Sequence, residues 1–380
     1  NVFYVTGNCT IPSGQTLTIS AGVRVKFSSG KSMEVNGTLI ANGTSSSRIM
    51  FTSRESVPTA GDWDRIYLKG TNNQLSYFDY LYAANSLRVD GNNAATNTTI
   101  DNGYLANLGS EAYGISLYNG GGESITNNNI TVSNANNRWG IYNGSSESTT
   151  ITNNTITAAK GIYIHDVDGG ENVTGNTIVA KITGIQADYA EGITIKNNTI
   201  TGTIKHYGIY AYQADSAKIT FNRIERTGLY NSCCPTWHGI NANYAEGSTI
   251  KGNTIINDPE TTSSSEDLGH VYGLLSYRSE VDSNFITLDG KRRRYELYLI
   301  YDHSSNITRN TLIYNSYDYN SYTRRVVQLN DATGVTSIFS NNTISVYNNE
   351  GKDAPPQNAL YIGANKKVEN NTITVGNNAV

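Results

Sequence analysis

The sequence predicts an all-β fold, a single-stranded right-handed parallel β-helix of about twelve rungs. The first observation is a recurring Asn-x-Ile motif (Asn-x-Leu once), which begins at Asn128, Asn154, Asn176, Asn198, Asn222, Asn253, Asn284, Asn310, Asn342 and Asn371. The second is a Gly-Ile pair that precedes most of these motifs, at Gly114, Gly140, Gly161, Gly184, Gly208 and Gly239, with Gly-Leu at Gly273. The third is the short period, because Ile156, Ile178 and Ile200 lie 22 residues apart. Such a repeat holds two or three short strands but no long amphipathic helix.

The asparagine of each motif has a structural role in such a coil. Stacked rungs lie about 4.8 Å apart, so amides at equal positions of successive rungs can form a hydrogen-bonded ladder. The isoleucines of both motifs then fill a thin, dry core.

The first 52 residues are predicted to start the coil. Gly and Pro turns separate strand-like runs at Val2–Thr6, Thr16–Ser20, Val23–Phe27 and Thr38–Ile40. Trp63–Leu68 reads as a further strand, and no linker or change in composition follows it. We therefore expect one domain over residues 1–380, the catalytic segment of a longer secreted protein.

Composition limits the partners. A formal net charge of −4 with only 16% charged residues argues against nucleic acid. No apolar run reaches the roughly 18 residues that a membrane span needs. Abundant Asn, Ser, Thr and Tyr indicate a secreted or cell-surface protein, and the oligomeric state stays open.

The loops lengthen after about residue 224. The distance from the Asn-x-Ile isoleucine to the next Gly-Ile isoleucine is 6 positions from Ile156 to Ile162 but 16 positions from Ile224 to Ile240. Long loops beside a flat sheet would wall a groove, since a rigid scaffold often carries function on its loops. The alternative is that these are tolerated insertions without function.

These loops contain residue types that bind sugars and anions. One holds the vicinal pair Cys233 and Cys234 before Trp237 and His238, and we expect the two thiols to form a disulfide outside the cell. Two others hold the cations Lys291, Arg292, Arg293, Arg294, Arg324 and Arg325. Guanidinium groups clamp carboxylates, so the loops favour an acidic polysaccharide as partner, with a solvated turn as the alternative.

The strand beneath the loops supplies the other candidates. Counted from the isoleucine of each Gly-Ile pair, the first and third residues should face outward. The first position includes Tyr210 and Asn241, and the third is read as Asp188, Tyr212, Asn243, Tyr277 and Asp302. His206, His238, Arg278 and His303 lie just beside this face.

Metal binding is less clearly indicated. Asp168, Glu191, Asp215, Glu246 and Glu280 follow the strand once per rung. Such a row could bind Ca²⁺, although exposed carboxylates are commonly solvated. The three cysteines lack zinc spacing. We therefore assign no metal ligands and no cofactor, with Ca²⁺ left open.

Several stretches resemble known families. The phrase from Gln15 to Ser53 resembles the opening of many secreted β-helix proteins, and the coil with its loop groove resembles the β-helix polysaccharide lyases and hydrolases. The Tyr- and Asn-rich surface is similar to that of archaeal disaggregatases, which loosen a chondroitin-like extracellular matrix. The acidic clusters of pectate lyases and the Asp-Pro-His motif of alginate epimerases are absent, so the resemblance transfers no catalytic residue.

Three functions remain open at this stage. The leading hypothesis is β-elimination on a uronate polymer, with His238 and Tyr210 as base and acid and with Arg278, Asn241 or Asn243 neutralising the carboxylate. The second is a glycoside hydrolase that uses paired acids such as Asp188 and Asp302. The third is a non-catalytic adhesin or tailspike-like binding module.

Overall fold

The computed structural model describes residues 1–92, 94, 96–110, 112–133, 137–228, 236–257, 270–289, 297–316, 325–330, 336–348, 358–363 and 366–377. At positions 289, 316, 325, 348, 358, 359 and 377 it describes the backbone alone. The chain divides into two compact units, Asn1–Ala180 (unit 1) and Lys181–Val380 (unit 2).

Unit 1 is built from short strands. They are β1 (Val2–Val5), β2 (Cys9–Ile11), β3 (Thr16–Ile19), β4 (Arg24–Phe27), β5 (Met33–Val35), β6 (Thr38–Asn42), β7 (Ile49–Ser53), β8 (Ile66–Leu68), β9 (Gln74–Ser76), β10 (Phe78–Leu81), β11 (Leu87–Asp90), β12 (Thr99–Asp101), β13 (Tyr104–Ala106), β14 (Ile115–Tyr118), β15 (Ser124–Thr126), β16 (Asn129–Thr131), β17 (Trp139–Gly144), β18 (Thr150–Thr152), β19 (Thr155–Val167), β20 (Asn172–Thr174) and the start of β21 (Thr177–Ala190).

Unit 2 continues in the same way from the remainder of β21. Its strands are β22 (Thr194–Lys196), β23 (Thr199–Gly202), β24 (Tyr207–Tyr212), β25 (Lys218–Thr220), β26 (Arg223–Arg226), β27 (Trp237–Ala242), β28 (Thr249–Lys251), β29 (Thr254–Asn257), β30 (Val271–Tyr277), β31 (Glu280–Asp282), β32 (Phe285–Asp289), β33 (Leu297–His303), β34 (Asn306–Thr308), β35 (Thr311–Ser316), β36 (Arg325–Asn330), β37 (Ser337–Ser340), β38 (Thr343–Asn348), β39 (Asn358–Ile362), β40 (Lys366–Glu369) and β41 (Thr372–Asn377).

Each unit stacks its strands in parallel, rung upon rung. In unit 2 every third strand pairs with the next equivalent one: β22 with β25, β23 with β26, and β24 with β27. Unit 1 repeats the arrangement from β1 with β4 onward. Three-stranded coils that pair only with parallel neighbours form a parallel β-helix, so the predicted fold class is confirmed.

The predicted asparagine ladder is present in both units. In unit 2 the Nδ2 of Asn222 donates to Oδ1 of Asn253 at 3.0 Å, and the Nδ2 of Asn253 donates to Oδ1 of Asn284 at 3.0 Å. Each amide also donates to a carbonyl of the preceding rung, for example Asn253 to Ile219 at 2.8 Å. In unit 1 Asn128 donates to Asn154 in the same way. Buried amides whose hydrogen bonds are satisfied fix the register of the turns.

The core is apolar and follows the isoleucine columns. Ile224 and Ile255 pair in one stack, Ile209 and Ile240 in another, and all of these side chains are fully buried. No described residue belongs to a helix long and apolar enough to cross a membrane.

Candidate functional site

At Gly208 and Gly273 of unit 2, two consecutive buried residues interrupt the alternation of inward and outward side chains, and we call this interruption the glycine bend. A Cβ on Gly208 would lie 2.4 Å from Cγ2 of Ile224 and 2.5 Å from the carbonyl oxygen of Gly239. Only glycine allows so close an approach between the strand and the core isoleucine. Because the strand bends here, residues on both sides of the glycine face outward and converge: the rings of Tyr207 and Tyr210 stack at 4.4 Å and 15°.

The residues immediately before these bends form an aromatic ladder. We give this name to Tyr207, His238, Tyr272 and Tyr298, which occupy equal positions on successive rungs. Successive ring centroids lie 5.2, 4.6 and 5.1 Å apart, with planes within 23° of parallel. Ring faces cover each other in such a stack, so only ring edges can face solvent; Tyr207 and Tyr272 are partly exposed, whereas His238 and Tyr298 are buried.

His238 is a buried member of the ladder and the one whose ring ordinarily titrates near neutral pH. Burial, with His206 and His270 nearby, lowers its pKa to about 3, so the imidazole is neutral at physiological pH. Its backbone N–H donates to the carbonyl of His206 at 2.8 Å, and its Nδ1 is buried without a hydrogen-bond partner among the described residues. As a base in the free protein it is weak, because an effective base has a pKa near the working pH.

A floor column runs beside the ladder. It consists of Tyr210, Asn241, Leu275 and Tyr301, whose register matches the predicted first outward position. Oδ1 of Asn241 accepts the backbone N–H of Asn243 at 3.0 Å, which leaves Nδ2 as the donor side of the amide. Burial raises the pKa of Tyr210, with Tyr207 and Asp188 adding to the shift, so this phenol stays protonated.

The third outward position forms the far side of the face. Asp188 pairs in register with Tyr212, and Tyr277 with His303. Nε2 of Gln186 donates to Oδ2 of Asp188 at 2.6 Å. Asn243 directly follows β27 and is partly exposed there. These positions agree with the predicted outward column.

The predicted placement of Asp302 is wrong. Asp302 pairs in register with Ser276, points inward and has no exposed surface, and His303 takes the outward position instead. Its Oδ2 bonds to Nζ of Lys366 at 2.9 Å and its Oδ1 accepts the Ser276 hydroxyl at 2.7 Å. Burial is tolerable because the charge is paired and hydrogen-bonded. Asp188 and Asp302 therefore do not share a face.

Two other predicted positions also differ from the structure. Trp237 is fully buried in the core, because its neighbour His238 faces outward and side chains alternate along the strand. Arg278 lies in the turn after β30, with φ of +42°, and its Nη1 bonds to Oε1 of Glu246 at 3.2 Å. It is two rungs from Tyr210, and its charge is already paired there. Neither residue is in a position to contact a ligand on the floor column.

Some predicted residues cannot be placed. Cys233, Cys234, Arg292, Arg293, Arg294 and Arg324 lie outside the described residues, and Arg325 is described only as part of the backbone of β36. The disulfide and the cationic loops stay predictions. His206 is partly exposed just before β24, beside Tyr207.

Several residues of the face were missed. They are Tyr207, Tyr272, Tyr298, Tyr301 and His270. The first two directly precede the glycine of a Gly-Ile or Gly-Leu pair, so the signal was present in the sequence. An analysis that assumes strict alternation of inward and outward side chains does not find these residues, because the alternation starts again after each glycine.

Unit 1 carries aromatic stacks of its own. Tyr113 stacks on Tyr142 at 4.8 Å and Trp139 on Tyr163 at 5.0 Å. Here cations join the rings: Cζ of Arg88 lies 4.3 Å from the ring centroid of Tyr118 and Nζ of Lys160 5.1 Å from that of Trp139. Each of these cations therefore already has an aromatic partner on the same face of unit 1.

Known proteins resemble parts or all of the chain. Residues 1–76 match a pectate-lyase-like β-helix domain, and residues 110–233 match the NosD family, described as periplasmic copper-binding proteins. A comparison with curated proteins finds no match. Among the described residues no group of three or more His, Cys, Asp and Glu side chains is placed to hold a metal ion. We therefore assign no step to copper.

Solved structures also align along nearly the whole chain. PfbA, a surface adhesin of Streptococcus pneumoniae, is 14% identical, with 97% of this chain and 82% of PfbA covered and a TM-score of 0.38. A tailspike protein of E. coli bacteriophage HK620, solved with a pentasaccharide, is 11% identical, with 96% and 74% covered and a TM-score of 0.33. The stacked parallel rungs show a parallel β-helix fold, and residues 1–76 are similar to the pectate-lyase-like β-helix family.

Proposed function

We propose that the protein binds an extended acidic polysaccharide along the outer face of unit 2, parallel to the direction in which the rungs stack, and cleaves it by β-elimination. The observation that carries the binding proposal is the repetition of phenol, imidazole and amide groups at rung spacing on the ladder and the floor column. The match to a pectate-lyase-like domain supports a carbohydrate-binding or carbohydrate-degrading β-helix protein.

The polar edges of the face suit sugar hydroxyls. Burial raises the pKa of Tyr207 and Tyr210, so both phenols stay protonated and donate hydrogen bonds at neutral pH. Asn241 adds an amide donor in the same column. Because rungs repeat at about 4.8 Å, a chain lying along the stack meets one such group after another.

Tyr210, Asn241 and His238 provide the groups that β-elimination requires. The Nδ2 of Asn241 would bind the uronate carboxylate, and the protonated phenol of Tyr210 would protonate the leaving oxygen. His238, which is neutral as a base must be, would take the C5 proton, so that the C4–C5 double bond forms as the bond from C4 to the leaving oxygen breaks. A bound carboxylate nearby would raise the low pKa of His238. Arg278 is replaced in this scheme by Asn241, since its guanidinium is paired with Glu246.

The reaction is tested with alginate, polygalacturonate, hyaluronan and chondroitin. Elimination raises the ultraviolet absorbance of unsaturated uronates, whereas hydrolysis yields reducing ends without it. With the polymer that is cleaved, Tyr210→Phe should lower kcat at least about a hundredfold, the usual size of a lost acid. Tyr104→Phe, an exposed phenol of unit 1, is the control. Normal turnover in Tyr210→Phe would place the acid elsewhere.

The second candidate is a binding module without catalysis. It is favoured by the pKa of His238 near 3 and by the absence of any cation from the described part of the floor column and the ladder. Tight binding of a polymer that is never cleaved would decide for it. In either case we propose an extracellular or periplasmic location, in keeping with the NosD match.

A further inference from the structure

Lys160 is a half-buried cation on the outer face of unit 1. It directly precedes Gly161, where two consecutive buried residues interrupt the alternation in β19, so Lys160 and Tyr163 are partly exposed on either side of a glycine bend. Lys160 pairs in register with Trp139 on the preceding rung, and its Nζ lies 5.1 Å from the centroid of that ring. A cation therefore occupies the position before the bend, where the ladder of unit 2 has rings.

The charge of Lys160 has no counter-ion in the part of the chain that the structure describes. Burial lowers the pKa of its ammonium group, and no carboxylate contributes to the shift. Arg88 on the same face differs, because its Nη2 bonds to Oδ2 of Asp90 at 2.7 Å and its Cζ lies 4.3 Å from the ring centroid of Tyr118. A partly desolvated charge without a counter-ion favours the binding of an anion, since attraction between charges is stronger where water is partly excluded.

Aromatic rings surround this cation. The ring of Tyr163 stacks on Trp139 at 5.0 Å and 16°, and the ring of Tyr142 contacts that of Tyr163 at 5.3 Å. A Cβ on Gly144 would lie 3.3 Å from the hydroxyl oxygen of Tyr142, so this ring extends along its own strand over the glycine. Burial raises the pKa of Tyr142, so its phenol stays protonated and can donate a hydrogen bond to a sugar hydroxyl. We call Trp139, Tyr142, Lys160 and Tyr163 the lysine site.

We infer that the lysine site is a second glycan-binding site, which holds an oxyanion substituent of a sugar chain, a carboxylate or a sulfate ester. The ammonium of Lys160 pairs with the oxyanion, and the phenol of Tyr142 donates to a hydroxyl of the same chain. Trp139 is only 7% exposed, so the ligand meets the ammonium rather than the face of the indole. The inference rests on the proposed function only in taking the ligand as an acidic polysaccharide. It adds a site on unit 1 that binds without cleaving.

The test follows the fluorescence of Trp139 in the full chain during titration with oligosaccharides of polygalacturonate, of dextran sulfate and of neutral dextran. Trp139→Phe identifies the part of the signal that belongs to this indole, because Trp63 and Trp237 are fully buried. At least one of the two anionic ligands should change the signal, neutral dextran should not, and added salt should weaken the binding. Polygalacturonate offers carboxylates and dextran sulfate offers sulfate esters, so their responses distinguish the two sources of the oxyanion.

Three variants isolate the charge. Lys160→Met keeps an apolar stem on the Trp139 ring but removes the ammonium, so it should weaken binding of the anionic ligand about tenfold, with no fall in Tm because no counter-ion is left unpaired. Lys160→Arg keeps the charge and should stay within about threefold of the wild-type affinity. Lys196→Met is the matched control: Nζ of Lys196 lies 5.9 Å from the ring centroid of Phe221, but Lys196 is exposed and belongs to β22, in the other sheet.

The outcomes separate this inference from the function on which it rests. A Trp139 signal that is lost in Lys160→Met but kept in Lys160→Arg and Lys196→Met supports it. Wild-type affinity in Lys160→Met, equal binding of neutral dextran, or no response to any ligand overturns it, and uronate cleavage that continues in Lys160→Met then leaves the proposed function standing. A Trp139 signal with polygalacturonate in a chain that cleaves no uronate polymer supports the lysine site and overturns β-elimination alone.

Discussion

At the scale of single residues, the ladder histidine shows how packing sets chemistry. His238 lies between two tyrosine rings at 5.2 and 4.6 Å, and only 7% of it is exposed. Water cannot solvate an imidazolium there, so burial lowers the pKa of the ring to about 3. The same environment that orients His238 for a ligand also holds it neutral.

This shift predicts a loss of stability in mild acid. The unfolded chain binds a proton on His238 near pH 6.5 but the folded chain does so only near 3, so stability falls as the pH drops through that window. From pH 7 to pH 5 the loss should be about 2 kcal/mol. His238→Phe keeps a ring in the stack and should remove most of this loss. Urea unfolding at both pH values measures it, and an equal loss in the variant would contradict the assigned pKa.

The residue scale also shows what the sequence could and could not predict. Tyr210 and Asn241 were correctly paired because period-two alternation holds after each glycine bend. Trp237 was misplaced because the bend at Gly239 interrupts the alternation before it. Asp302 was misplaced because Leu299 stands where other rungs have glycine, and counting from it shifts the column by one.

At the scale of elements, the glycine bend packs the strand closely against the core and determines which side chains lie on the outer face. A Cβ on Gly239 would lie 2.4 Å from Cγ2 of Ile255 and 2.5 Å from the carbonyl oxygen of Gly273. The bend brings His238 and Asn241 to one surface, although two residues separate them along the strand. The fold was predictable because both repeating motifs reveal the strand columns, whereas this curvature leaves no trace in hydrophobic periodicity.

The bend gives a prediction for Gly239→Ala. The added methyl group must displace a core isoleucine or a strand carbonyl, which should cost about 1–3 kcal/mol of folding stability. It should also misalign His238 and Asn241 and so weaken glycan binding. Gly228→Ala is the control, because its nearest neighbour would be a threonine methyl group at 3.4 Å. Thermal unfolding and binding are compared; unchanged stability in Gly239→Ala would show that the rungs have room to relax.

At the scale of the molecule, each unit uses one rung plan and differs in what the outer face presents. Unit 1 pairs its aromatic rings with Arg88 and Lys160, whereas the ladder and floor column of unit 2 have no cation among their described side chains. Unit 2 combines protonated phenols, a neutral imidazole and an amide. A repeating scaffold thus gives a repeating row of hydrogen-bonding groups, which is what a repeating polymer requires.

The most direct test of the account is a crystal structure with a bound tetrasaccharide of hyaluronan. The account predicts that the sugar chain runs parallel to the stacking direction, within hydrogen-bonding distance of Tyr210 and Asn241 and against the ring edges of the ladder. Occupancy of the unit 1 aromatic face alone, or of the pocket lined by Glu246 and Ser304, would contradict the assignment of the site to the floor column and the ladder.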